Sequence, residues 1–134
     1  MMNDQGTPVT AGCGHIQNVG SALQAEAIAI LQTIRNTSQM GCSRVQFEVD
    51  ASNLEKAITS TEYDLSSLGP LFKEIKALIC TAYDDVKISS CKRSCNVVAH
   101  ELAARGALLG DSNQVIWVAD LPQFVINSCA GKYT

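Results

Sequence analysis

Residues 44–54 read RVQFEVDASNL, and the way this stretch changes character decides the fold. Its first six residues alternate, with Val45, Phe47 and Val49 on one face and Gln46 and Glu48 on the other, the period of a half-buried β-strand. The residues from Ser52 onward open a helix. Asp50 stands at the junction. Ser52 and Glu55 form the Ser-x-x-Glu pattern of a capping box, so the helix is expected to take its cap from Ser52 and leave Asp50 surplus to capping. The alternative for Asp50 is an Asx turn or a solvated loop carboxylate.

Outward from this junction the chain alternates between the two kinds of element. Ser21 followed by Gln24 is a capping signal ahead of ALQAEAIAILQTIRNTSQM (22–40), a helix of about five turns that Gly41 ends. A further helix is predicted from about Ser67 to Ala82, with Leu68, Leu71, Phe72, Ile75, Leu78 and Ile79 at helical spacing and Pro70 tolerated in its first turn. DVKISSC (85–91) reads as a short strand and VVAHELAARGALL (97–109) as a helix. QVIWVADLPQFVINSCA (114–130) reads as an extended piece, a turn at Pro122 and a short terminal helix. Near the start, TPVTAGCGHI (7–16) follows a turn-like Asn3-Asp4-Gln5-Gly6 and reads as the returning strand of a hairpin whose partner would lie before residue 3. An order of strand, helix, strand, helix, helix, strand, helix favours an α/β sheet with parallel strands. The strand at 44–49 and the one at 86–90 are expected to pair in parallel.

Composition bounds the rest. The 134 residues are 46% apolar and 17% charged, enough for one domain with a core and without the polar bias of disorder. No apolar run approaches the roughly 18 residues of a membrane span, and the polar start MMNDQGTPVT is no signal segment, so the chain reads as intracellular, in nucleus or cytoplasm. The six cysteines are scattered and read as reduced thiols, with Cys80 expected to pack as a small hydrophobe. A net charge of -3 is opposite to the usual footprint of a nucleic-acid binder. Any such role has to rest on local charge, as at Lys87, Lys92 and Arg93 in KISSCKR, which also fits a solvated edge.

Two more polar residues sit where apolar ones are expected. Glu26 lies between Leu23 and Ile30 on the side of its helix that should face the sheet, costly for a carboxylate unless it is paired or bound to a cation; a rim position is the alternative. His100 follows Val97 on the last main helix, where a satisfied structural histidine is the alternative to a ligand. Asn96 either joins a site or caps that helix. A Glu on the first long helix, an Asp at the next strand end and a polar residue on the last main helix suit two-metal phosphodiester chemistry, in which hard Mg²⁺ ions about 4 Å apart take carboxylate oxygens. A zinc or redox site on Cys91-x-x-x-Cys95 with His100 is a further reading, without an evident fourth ligand.

The runs ALQAEAIAILQ (22–32), GCSRVQFEVDASNL (41–54), LGPLFKEIK (68–76) and KRSCNVVAHELA (92–103), with the ending WVADLPQF (117–124), resemble in order and spacing the plant ribonuclease H-like domain derived from reverse-transcriptase elements. The resemblance spans residues 4–128 as a single partial domain, with 129–134 as a tail. It implies a mixed five-stranded sheet flanked by helices, two Mg²⁺ (or Mn²⁺) ions on four acidic positions, and cleavage of the RNA strand of an RNA-DNA hybrid. By motif, Glu26 matches the helix carboxylate and Asp50 the strand-end carboxylate, both metal ligands. His100 matches the fourth position, and Arg93, Asn96 and the adjacent Lys92 fall at the polar, substrate-binding start of the last helix. Ala51 replaces the family's usual serine. Relative to that pattern the first central strand, which carries the metal-bridging carboxylate, and most of the second strand are lacking. The resemblance therefore implies an incomplete two-metal site, impaired hydrolysis, and a sheet completed by a missing segment or a partner chain. A catalytically inactive nucleic-acid-binding or protein-interaction module is the alternative.

Overall fold

The computed structural model describes all residues except Gly6, 16–18, Ala51, 93–95, 111–112, Ala119 and 133–134, with the backbone alone for 128–132. Its chain divides into two compact units, Val19–Cys91 and a second made of Met1–Asn18 with Lys92–Thr134.

The Val19–Cys91 unit is built around two parallel strands. β2 (Arg44–Val49) pairs with β3 (Asp85–Ser90), with Val45 opposite Val86, Phe47 opposite Ile88 and Val49 opposite Ser90; the strand nearest the amino terminus, β1 (Ala11–Gly14), lies in the other unit. This is the pairing that the alternation predicts. A tight turn cannot join parallel strands, because the chain must return to the starting edge. Here the return is made by α2 (Ser52–Thr59) and α3 (Gly69–Ala82).

Ahead of them α1 (Ala22–Thr37) starts where the sequence signals it. Ser21 Oγ accepts from Gln24 N at 3.1 Å, and Gln24 Oε1 accepts from Gly20 N at 2.7 Å, one residue upstream of the donor in a standard capping box. Beyond Thr37 the chain tightens into a 3₁₀ turn, Ser38–Met40, and Gly41 takes the left-handed φ of 79° that lets it leave. The expected fifth α-helical turn is thus a 3₁₀ turn.

Ala27, Ile30, Leu31 and Ile34 from α1, Val49 from β2, Leu54, Ala57 and Ile58 from α2, Phe72 and Ile75 from α3, and Tyr83 form one buried cluster. Tyr83 keeps its hydroxyl satisfied there, 2.8 Å from Thr37 Oγ1. α3 begins two residues later than predicted because the chain turns tightly before it, and a Cβ at Gly69 would collide with the backbone of Asp64. Lys76 ties that turn down, reaching Asp64 Oδ1 at 2.7 Å and Ser60 O at 2.5 Å. Cys80 is exposed, against the expectation that it packs inside. Phe72 and Ile75 fix the buried stripe of α3, and Cys80 falls off that stripe.

In the other unit, β1 (Ala11–Gly14) pairs antiparallel with β4 (Gln114–Trp117). The hairpin read from the sequence is present in short form. Met2 bridges Pro8, Val9 N donates to Met1 O at 2.8 Å, and Asn3 Oδ1 holds the turn by accepting from Gln5 N and Thr7 N. α4 (Val97–Gly106) crosses close to β1, so close that a Cβ at Gly106 would overlap the backbone of Gly14. α4 ends at Gly106, three residues short of the predicted end, and Leu108 beyond it is exposed. α5 (Gln123–Lys132) follows Pro122 as predicted, and the Arg105 guanidinium stacks over Phe124, 3.7 Å from the ring centroid. Ala11 and Val125 form the buried centre of this unit. No described helix is long and apolar enough to cross a membrane.

Phe72 is fully buried, whereas Leu65 is 98% exposed. Urea denaturation should show Phe72→Ala costing about 3–5 kcal/mol and Leu65→Ala staying within about 0.5 kcal/mol of the parent.

Candidate active site

Glu26 is fixed by the α1 residues around it. Leu23, Ala27 and Ile30 turn one side of the helix toward the core, and this carries Glu26 to the core's border, half-buried. Its Oε2 is fully buried and has no hydrogen-bond partner among the described residues. Asp50, also half-buried, follows the last residue of β2 and lies beside Glu26. Burial, then the negative charge of Asp50, then a side-chain hydrogen bond with Asp50 raise the Glu26 carboxyl from an ordinary 4.5 to about 7. Two carboxyl groups this near, in a poorly solvated place, can share a proton or share a cation, but they do not carry two uncompensated charges cheaply.

The strand-to-helix junction differs in one respect from its sequence reading. α2 already includes Ser52 as its first residue, one position earlier than a Ser52 cap requires. Glu55 does not reach back to close a capping box. Its Oε2 accepts the backbone N–H of Ser90, at the end of β3, at 3.0 Å. The Ser-x-x-Glu spacing suggested a local bond, so this use of Glu55 was hidden in the sequence, as was Ser90.

The remaining site residues read from the sequence belong to the other unit. His100 lies half-buried in the first turn of α4, its backbone N–H donating to Asn96 O at 3.2 Å. Asn96 occupies the cap position of α4 without a side-chain capping bond, so the capping alternative for its amide is not the one adopted. Lys92 is exposed. Arg93 lies outside the described residues, as does Cys95 of the zinc reading. Cys91, the last residue of the Val19–Cys91 unit, is half-buried.

Glu26 and Asp50 suit a hard divalent cation. They offer carboxylate oxygens, one of them buried without a partner, and Mg²⁺ is commonly held by one or two carboxylates with water and substrate phosphates completing its shell. Among the described residues no group of three or more His, Cys, Asp or Glu is placed to hold a metal ion.

The described residues form a mixed α/β arrangement of five helices and two small sheets, consistent with a partial ribonuclease H-like fold. The chain belongs to the reverse transcriptase-like family, whose model matches residues 1–106. Neither the search of curated proteins nor that of solved structures gave a match.

The raised carboxyl sets a pH dependence. Folding binds the Glu26 proton more tightly than the unfolded chain does, so its stabilising contribution is complete below pH 4.5 and is lost as pH rises through about 7. Denaturant melts in metal-free buffer should show the parent losing stability across this window relative to Glu26→Gln. Equal pH profiles for the two proteins would contradict the assignment.

Proposed function

We propose that this is a Mg²⁺-dependent (or Mn²⁺-dependent) nuclease domain acting on RNA-DNA hybrids, of the plant type derived from reverse-transcriptase elements, with Glu26 and Asp50 as metal ligands and with hydrolysis impaired by an incomplete two-metal ligand set. The observation that supports it most is the pairing of Glu26 with Asp50, which keeps a carboxylate half-buried beside another where an apolar side chain would stabilise the core more.

The residues then divide the work. Asp50 presents its carboxylate at the carboxyl end of β2, the edge where open α/β sheets bind ligands. Glu26 holds a proton near neutrality and yields its buried oxygen when that proton leaves. Glu26 and Asp50 would hold a divalent ion, which would supply charge neutralisation at phosphate oxygens and activation of a water. His100 is assigned the fourth position of the family pattern, with ring nitrogens that can donate or accept a hydrogen bond. Lys92 and Arg93 are assigned to phosphate contacts, which fix the strand without reading sequence. The Asn96 amide, a donor and an acceptor, is assigned to the ribose 2′-hydroxyl, the group that tells RNA from DNA.

A labelled RNA-DNA hybrid incubated with the full chain and Mg²⁺ or Mn²⁺ tests this. Slow cleavage is expected in the RNA strand and should be lost in Glu26→Gln and Asp50→Asn. Binding of the hybrid should weaken as salt is raised. Cleavage unaffected by both substitutions would refute the site; salt-sensitive hybrid binding without cleavage would instead identify a binding module that has lost the chemistry.

A further inference from the structure

The carboxyl ends of β2 and β3 are joined by more than the sheet ladder. Val49 O, on the last residue of β2, accepts from Cys91 N at 2.7 Å, just past the end of β3. The neighbouring N–H, that of Ser90, is taken by Glu55 Oε2 at 3.0 Å. Glu55 is in the first helical turn of α2. The covalent path from Val49 through Asp50 to Glu55 is therefore closed into a ring by two hydrogen bonds to adjacent residues, the last of β3 and the one after it. Asp50 sits inside that ring, held at β2 by the Val49 bond and at α2 by the Glu55 bond. We propose that Glu55 is a positioning residue for the site, its carboxylate clamping the first turn of α2 to the end of β3 and so holding Asp50 against Glu26.

The spacing supports a clamp. Glu55 follows Asp50 by five residues and is the acidic residue of the first turn, where a carboxylate is favoured by the helix dipole as well. Leu54, beside it, is fully buried with Val49 in one core cluster, so the turn has an apolar anchor on one side and the Glu55 bond on the other. What the bond needs is an acceptor oxygen at this reach rather than a negative charge. Glutamine supplies that oxygen; aspartate keeps the charge but is one methylene short; alanine supplies neither. This separates clamping from any direct electrostatic action of Glu55 on a cation.

The inference rests on the assignment of Glu26 and Asp50 as metal ligands, and its test keeps the two apart. In metal-free ¹⁵N-labelled protein, Glu55→Ala and Glu55→Asp are expected to shift the Asp50 amide signal and speed hydrogen exchange at the Ser90 amide by about tenfold, while Glu55→Gln matches the parent. In Mn²⁺ titrations followed by calorimetry, Ala and Asp should weaken affinity by about tenfold, as loss of an outer positioning contact does, and Gln should restore it. Gln behaving like Ala would overturn the clamp in favour of a charge effect. Parent-like Ser90 exchange and Mn²⁺ affinity in Glu55→Ala would also overturn it. Parent-like Mn²⁺ affinity in Asp50→Asn would remove the metal assignment itself, and the exchange and amide-shift measurements would still decide whether Glu55 holds Asp50.

Discussion

The parallel pairing of β2 with β3 is the constraint on which the site depends. Two parallel strands share a carboxyl edge, and the chain that links them has to cross over before returning. Because α2 starts immediately beyond that edge, Asp50 is confined to a short junction rather than a free loop. The crossover also sets the core. Leu54 and Ile58 from α2 and Phe72 and Ile75 from α3 pack with Val49 and with the apolar stripe of α1, which fixes the height of Glu26. The position of both carboxylates thus follows from one pairing and the helices it requires.

Within that frame the Glu26–Asp50 contact works against folding as much as for it. Desolvation and the neighbouring negative charge both disfavour the ionised carboxyl, which is why its proton is held up to about 7. An apolar residue at position 26 would continue the stripe of Leu23, Ala27 and Ile30 without this penalty. A chain that keeps the penalty is better explained by a ligand than by packing. A cation exchanged for the shared proton would remove the repulsion and give the buried Oε2 a partner.

Much of this was legible in the sequence where a local pattern carried the information. The alternation at 44–49 gave the strand and its face, and the order of strands and helices its parallel pairing. Ser21 with Gln24 gave the start of α1, Glu26 stood out by breaking an apolar pattern, and Asp50 by its place at the strand-to-helix junction. Less was legible where the partner is distant in the chain. The pairing of Ala11 with Trp117 joins residues more than a hundred positions apart, and no local periodicity announces it. The bond from Ser90 to Glu55 was masked because Ser-x-x-Glu has a common local use. Cys80 illustrates a third limit. Its apolar surroundings in sequence suggested burial, whereas the rotation of α3, set by Phe72 and Ile75, turns it outward. The close approach of Gly106 to Gly14 is again a tertiary fact.

The central claim is that Glu26 and Asp50 together form a divalent-cation site. Paramagnetic line broadening tests it most directly, because Mn²⁺ bleaches amide signals according to distance from the bound ion. Added below stoichiometry to ¹⁵N-labelled protein, Mn²⁺ is predicted to remove first the signals flanking Glu26 on α1 and Asp50 at the end of β2, and Mg²⁺ should restore them by competition. Broadening spread evenly over the surface, or centred on carboxylates elsewhere such as Asp84 and Asp85, would contradict the account.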